Sequence, residues 1–271
     1  MSDIATPPRT IHLDHDSGEL AATYDRVGVR QFEHGKQLVA LLGLRGGERV
    51  LDVGCGTGLL SAWVAERVAP DGQVTGIDPL PLRVALAAEK HPRLQARVGR
   101  AEDLSAFADA SFDAVYLNSV LHWVPDQRRA LREAWRVLRP GGHIAVNSAD
   151  AERPHQSGLL LDGASQSLGL ASASAGGLYH RLSADGLAQL LRGAGFERVQ
   201  VAPHTFVDQV TDVDELIAWH RSSSFGNWLS DLGPGQREQV RERLAEALLP
   251  LRAGATIPLQ RHLVFAAASR P

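Results

Sequence analysis

The 271-residue sequence contains a single cysteine, Cys55. A disulfide framework, a thiolate zinc site and an iron–sulfur set all need several sulfur ligands, so one cysteine excludes them. Long apolar runs are also missing: no stretch approaches the ~18 continuous apolar residues of a membrane span. The opening MSDIATPPRT has neither an apolar centre nor a small-residue cleavage pattern. The expectation is a soluble, cytoplasmic protein with no membrane partner. Excess positive charge is absent as well, with a net charge of −3 and a pI near 6.4. No electrostatic footprint for nucleic acid is therefore present, and a small-molecule partner fits better. Composition leaves both a monomer and a homo-oligomer open.

What is present is concentrated in Arg49 to Leu60, RVLDVGCGTGLL. The apolar run Val50 to Val53 ends in a glycine-rich turn, and helical periodicity begins at Leu59 and continues through Ala62, Trp63 and Glu66. That is a strand, a tight loop and a helix N-terminus. Gly54, Gly56 and Gly58 remove the Cβ atoms that would hold a ligand off the backbone, and they permit the positive φ that the reversal needs. In G-x-G-x-x-G dinucleotide loops a pyrophosphate meets the helix N-terminus; here the third glycine comes one residue early and Leu59 takes the diagnostic place. The lysine of a phosphate-binding loop is absent too. Cys55 inside this loop reads as a small turn-filling residue.

Strands and helices then alternate. Strands are expected at Gln73 to Ile77, ending at Asp78, then at Leu94 to Val98, Phe112 to Leu117, and His143 to Asn147. Helices are expected over Pro79 to Lys90 and Asp126 to Leu138, the second stopped by Pro140-Gly141-Gly142. Repeated β-α-β units imply a parallel sheet with helices on both faces and ligands at the carboxyl ends of the strands. Glu19 to Gly35 and Lys36 to Leu44 read as helices ahead of the first strand. Beyond Asn147 come a Ser/Gly/Ala-rich segment with a short helix near Leu159 to Leu168, a helix from Ala184 capped by Ser183, and a strand from Phe196 to Val201. Helices near Val213 to His220 and Gln236 to Leu249 precede a terminal strand, Gln260 to Ala267. Without internal repeats or a linker, one elaborated domain is expected. It divides into helical N-terminal residues 1–45, a core at 46–147, and inserts with C-terminal strands at 148–271. His12-x-x-His15 with Asp14 and Asp16 has the residue types of a metal site, but no later cluster completes it, so no metal is expected.

The loop D-V-G-C-G-T-G-L resembles motif I of the class I S-adenosylmethionine-dependent methyltransferases. V-T-G-I-D-P-L at the second strand, F-D-A-V-Y-L-N-S-V-L-H-W at the fourth and W-R-V-L-R-P-G-G-H-I-A-V at the fifth resemble the same family in the correct order. The resemblance implies an α/β, Rossmann-like fold with a seven-stranded sheet ordered 3-2-1-4-5-7-6, strand seven antiparallel, and lid elements from the N-terminal helices and the inserts. It implies S-adenosyl-L-methionine as cofactor and methyl transfer to a small-molecule metabolite through oxygen, carbon or nitrogen.

Carried onto this sequence, the resemblance puts the methionine end of the cofactor on Asp52, Gly54, Cys55, Gly56 and Gly58. Asp78 would accept the ribose hydroxyls, with Pro79 beside it. Arg100 stands where relatives often have the acid that reads adenine, so that contact passes to Ala101, Glu102 or Asp103. Asn118 would lie at the reaction mouth and Tyr24 would act as a lid. His122 is the catalytic candidate, as a general base; packing, or holding the cofactor carboxylate, is open to it equally. Substrate-binding candidates are the insert residues Tyr179, His180, Trp219, His220, Phe225 and Trp228, with ordinary core packing as the alternative for each.

In-line methyl transfer needs mainly alignment, so no triad or metal cluster is required. The D/N-P-P-Y/W signature of nucleic-acid amino methyltransferases is absent at Asn118-Ser119-Val120-Leu121. A covalent base-carbon mechanism needs a separate nucleophilic cysteine, and arsenite methylation needs several thiolates; neither fits one cysteine. A protein of this fold that binds the cofactor or cyclises a substrate without methyl transfer stays open.

Overall fold

The computed structural model describes residues 11–170 and 180–271. β-branched and apolar residues alternate in the early strands, so successive side chains enter opposite faces of one sheet. The strands are β1 (Arg49–Val53), β2 (Gln73–Asp78), β3 (Leu94–Val98), β4 (Phe112–Leu117), β5 (Leu138–Ala149), β6 (Glu197–Val210) and β7 (Ile257–Ser269). Their order is β3-β2-β1-β4-β5-β7-β6. β1 to β5 pair in parallel, and β7 runs antiparallel to both β5 and β6.

The two faces are visible residue by residue. Leu51, Val115, Ile144 and Val146 enter one core with Leu131 and Val137 of α5 (Gln127–Val137) and Leu187 and Leu191 of α7 (Ala184–Gly193). Val50, Val74, Ala114 and Ala145 enter the other, against Leu38 of α2 (Val29–Ala40), Val64 and Val68 of α3 (Leu59–Val68), and Ala87 of α4 (Pro81–Lys90). Each fully buried Val or Leu contributes about 1.5–3 kcal/mol to this arrangement. A third cluster lies beyond the sheet. It joins Leu161 of α6 (Gln156–Ser167), Leu216 of α8 (Val213–Ser223) and Leu244 of α9 (Pro234–Leu248) to Ile257 and Leu259 of β7. α1 (Gly18–Val27) is capped by the Ser17 hydroxyl and contacts α8.

Several boundaries differ from the sequence expectation: the N-terminal helices break at Gly28 and not at Gly35, β7 runs from Ile257 to Ser269 and not from Gln260 to Ala267, and β5 and β6 are both longer. β5 begins at Leu138, ahead of Pro140-Gly141-Gly142, because the Gly141 N–H donates to the Arg270 carbonyl (2.9 Å) and Arg270 N–H returns to Gly142 (2.9 Å). β6 continues nine residues past the expected end at Val201, to Val210, because β7 pairs with it throughout, from Val201 opposite Ala266 to Val210 opposite Ile257. The second insert therefore starts later, and a two-stranded arm projects over the carboxyl ends of the parallel strands. Among the described residues no helix is long and apolar enough to cross a membrane.

Leu161 is fully buried where α6 meets α9. Leu161→Ala should cost about 2–5 kcal/mol. Hydrogen exchange should quicken in α6 and α9 while β1 and β4 keep their protection; equal loosening of both would show that the third cluster is not a separate unit.

Candidate active site

The loop after β1 is held by the end of β2. Gly54 and Cys55 N–H groups both donate to the Ile77 carbonyl (2.7 and 2.9 Å). Gly56 N–H donates to Asp78 Oδ2 (2.9 Å), and Leu80 N–H donates to Asp78 Oδ1 (3.0 Å). Gly54 and Gly56 have φ of +83° and +55°, which a side chain would strain. A Cβ on Gly56 would also lie 3.1 Å from the Tyr24 ring.

Gly58 has a different task from the one expected. Its Cβ would meet Leu94 at 2.8 Å and both Ala87 and His91 at 3.0 Å, so the glycine lets α3 pack on α4 and β3 and does not line the cavity. Cys55 packs over Gly76; burial, reinforced by Asp52 and Asp78, pushes its thiol well above the ordinary value.

Asp52 is buried. Its Oδ2 accepts from Ser61 Oγ (2.5 Å) and Tyr116 OH (2.7 Å), while Oδ1 has no partner among the described residues. The residue lines a small side cavity with Tyr24, Cys55 and Asn118. Burial pushes its pKa up to about 7 against the hydroxyl bonds. Burial also raises the Asp78 carboxyl, opposed by Arg83 and by the two loop N–H groups.

Arg83 is only 2% exposed. It pairs with Asp16 (3.2 Å), donates to the Ser222 carbonyl (2.6 Å), and lies 4.3 Å above the Tyr24 ring and 5.1 Å from that of Phe225. The N-terminal segment and the second insert are thereby tied to α4. Burial raises the phenol pKa of Tyr24, ahead of the opposing charge of Arg83. Asn227 adds a second tie, since its side chain bonds both backbone groups of His12 (2.8 and 2.9 Å).

Under this cover runs one cavity of about 420 Å3. One end is lined by Gly54, Gly56, Asp78, Pro79, Ala101 and Glu102, and the other by His122, His155, His180, Trp219, Phe225 and Arg261. Asp103 does not reach it; its carboxylate accepts from Ser105 N–H (3.1 Å). Asn118 stands between the ends. Its Nδ2 donates to the Gln31 carbonyl (3.0 Å), and its Oδ1 accepts from Asn147 (2.8 Å). Ser119 adopts φ +60°, a strained value for a serine. It is held by its N–H on Asn147 Oδ1 (2.5 Å) and its hydroxyl against His34 Nε2 (3.0 Å).

His122 sits on a turn at Leu121–Trp123 and is buried. Ala149 N–H donates to its Nδ1 (3.3 Å), which leaves the proton of the neutral ring on Nε2. Burial, helped by Arg181 and Arg261, lowers its pKa to about 3.

Of the expected insert residues, Trp219, His180 and Phe225 reach the cavity, with Phe225 at φ +56°. His220 and Trp228 do not. They stack on one another at 5.7 Å inside the insert, His220 from α8 and Trp228 from the segment after it, with Trp228 packed in the third apolar cluster. Burial lowers the His220 pKa to about 3. Tyr179 lies outside the described residues. His12, Asp14 and His15 do come together, exposed, with ligand-type atoms within 4.8 Å. Sequence reasoning passed over Arg83, His155 and Arg261. Arg261 left a signal: in Ile257-x-Leu259-x-Arg261-x-Leu263 it occupies an inward position of an apolar alternation.

A family model described as a methyltransferase domain matches residues 51–146. The chain is 32% identical over 204 residues to the trans-aconitate 2-methyltransferase of Deinococcus radiodurans, covering 73% of this chain and 77% of that protein. It is 30% identical over 256 residues to nocamycin O-methyltransferase of Saccharothrix syringae, covering 88% and 91%. The chain belongs to the class I S-adenosylmethionine-dependent methyltransferases. S-adenosylmethionine is the cofactor of this methyltransferase. An arsenite methyltransferase of Halobacterium salinarum is 31% identical over 72% of this chain, which spans only 48% of that protein. Among solved structures, the YcgJ protein from Bacillus subtilis (TM-score 0.60, 18% identity, 88% and 99% covered) and the cyclase SpnF (TM-score 0.54, 20% identity, 89% and 81% covered) share the fold.

The donor set suits the cofactor of the family: a loop free of Cβ atoms, a buried carboxylate oxygen without a partner, and a second carboxylate with lone pairs left for hydroxyls. Asp52 also makes the methyltransferase sensitive to pH before any ligand binds. Its folded pKa of about 7 lies above the ordinary 3.8. Its contribution to stability is therefore complete below about 3.8 and is lost as pH rises through about 7. Asp52→Asn cannot ionise, so urea midpoints of the two proteins should diverge in favour of the variant from acid to neutral pH. A constant difference across that window would place the Asp52 pKa elsewhere.

Proposed function

We propose that this methyltransferase acts on a small-molecule acceptor held at the His122, Trp219 and Arg261 end of the cavity, with the cofactor at the glycine-loop end. The observation that carries the reading is the single cavity joining the two ends past Asn118, covered by α1 and the insert. The named relatives act on small molecules by their own descriptions: trans-aconitate, nocamycin and arsenite. Arsenite does not suit this chain, whose one cysteine is buried with a raised pKa.

In this reading Gly54 and Gly56 admit the methionine end to the backbone, and Asp52 Oδ1 receives its ammonium. Asp78 accepts from the ribose hydroxyls, Ala101 and Glu102 flank the adenine, and Tyr24 closes over the loop. When bound, the cofactor supplies an electrophilic sulfonium methyl. The work of the protein is then alignment and exclusion of water. Asn118, fixed from α2 and β5, sets the position of the mouth. Phe225 and Trp219 give the acceptor apolar walls.

His122 is unsuited to the role of general base. Burial lowers its pKa to about 3, so the ring is neutral at neutral pH; with Nδ1 accepting from Ala149 N–H and the ring proton on Nε2, it offers no lone pair to an acceptor hydroxyl. Its Nε2–H makes it a hydrogen-bond donor that orients the acceptor. Acceptors that arrive already deprotonated suit such a site.

Screening a metabolite extract with labelled cofactor, and identifying the labelled product by mass spectrometry, tests the reading. Cofactor binding without release of S-adenosylhomocysteine across all fractions would count against it and favour a cyclising or binding protein. With the acceptor in hand, His122→Ala should raise KM and leave kcat within about 10-fold, because orientation by one hydrogen bond is lost. A fall of ~10²–10⁴ in kcat with KM unchanged would restore the general base. Asp78→Ala should weaken cofactor binding by about 1–3 kcal/mol in calorimetry; unchanged affinity would move the ribose elsewhere.

A further inference from the structure

The acceptor end of the cavity is a set of hydrogen-bond donors. Arg261, 5% exposed, lies between Leu259 and Leu263 on the inward face of β7. Its Nε and Nη2 both donate to Asp208 Oδ2 (2.8 and 2.5 Å), and its guanidinium stacks 4.4 Å from the Trp219 ring. The side chain is thus fixed by the opposite strand of the arm and by α8, and Nη1 has no hydrogen bond among the described residues.

His155 lines the same end. His262 N–H donates to its Nδ1 (3.1 Å), so its neutral ring carries the proton on Nε2, as Ala149 N–H dictates for His122. Burial first, and the charge of Arg261 second, hold both His34 and His155 well below the ordinary histidine range. None of these rings can act as an anion or take up compensating charge. The carboxylates lining the cavity, Asp78 and Glu102, are both at the cofactor end. Asp208 lines a smaller adjoining cavity that Arg261, His155 and Trp219 also line, and does not line the main one.

We propose that the acceptor carries a carboxylate, and that Arg261, with the Nε2–H of His155, is its binding site. A guanidinium presents donors in a plane that matches a carboxylate, and charge-assisted bonds in a dry site are among the strongest available. A neutral imidazole donor completes such a site without the pH dependence that a charged one would bring. Asp208 positions the guanidinium and leaves Nη1 for the ligand. Trp219 and Phe225 provide the apolar wall for the rest of the molecule. The inference deepens the methyl-transfer reading and rests on it for which end receives the acceptor.

The test uses the full chain loaded with S-adenosylhomocysteine and titrated calorimetrically with a panel of aliphatic and aromatic carboxylates, each paired with its primary amide. At least one carboxylate should bind ~10-fold or more tightly than its amide, the scale of one charged hydrogen bond. Arg261→Gln should reduce that preference to near unity while S-adenosylhomocysteine affinity stays within about 2-fold. Because Arg261 also bonds Asp208, a second variant guards against misfolding: Arg261→Lys keeps the charge and should keep part of the preference. No preference for any carboxylate in the wild-type protein, or a preference that survives Arg261→Gln, overturns the proposal. Release of S-adenosylhomocysteine from the cofactor in the presence of the same compounds reports separately on methyl transfer. Carboxylate preference without turnover leaves the binding site standing and removes the transferase reading. Turnover of neutral acceptors without carboxylate preference does the reverse.

Discussion

Three successive N–H groups of the loop after β1 are caught by the last two residues of β2: Gly54 and Cys55 by the Ile77 carbonyl, Gly56 by the Asp78 carboxylate. The rest of the site depends on this capture. It holds the loop in the left-handed conformations that only glycine adopts without strain, and it points the Asp78 carboxylate along the cavity wall. It also brings Cys55 over Gly76, locking the first two strands in register at their carboxyl ends. A loop satisfied in this way is preorganised, so ligand binding need not supply the free energy of ordering it.

The cover is built on a different principle. α1 and the second insert have few apolar residues in common with the sheet cores, and polar ties connect them instead. The largest is buried Arg83, which reaches Asp16, the Ser222 carbonyl and the faces of Tyr24 and Phe225. A buried guanidinium is strongly destabilising when any partner is removed, so the three segments are coupled. Loss of Asp16 would loosen the insert although the two do not adjoin in sequence. Left-handed Phe225 and Ser119 stand where cover and mouth meet the cavity, the usual place for stored backbone strain.

The electrostatics of the two ends are opposed. Buried carboxylates, Asp52 and Asp78, lie beside the glycine loop, and the guanidinium groups of Arg181 and Arg261 lie with the buried imidazoles of His122 and His155 at the other end. Burial enforces neutrality on His122 and His155, and the charges of Arg181 and Arg261 act in the same direction. The cavity therefore has a direction, from an end that accepts hydrogen bonds to one that donates them.

Much of this was legible in the residues themselves. Val50 to Val53, the early third glycine, Asp78 closing β2 and the order of the later motifs determined the parallel sheet, its cofactor edge and the family, because these features are local and their periods are fixed by backbone geometry. Only tertiary structure decided which residues line the cavity. Gly58 left the site for a packing role because α4 and β3 come close there, and His220 and Trp228 turned into the insert on contacts with each other and the third cluster. Arg83 and Arg261 entered the site through partners 67 and 53 residues away. The tautomers of His122 and His155 were set by backbone N–H groups of strands that follow them by 27 and 107 residues. Burial and hydrogen-bond partners depend on contacts between distant segments, and a single sequence records each residue without its neighbours in space.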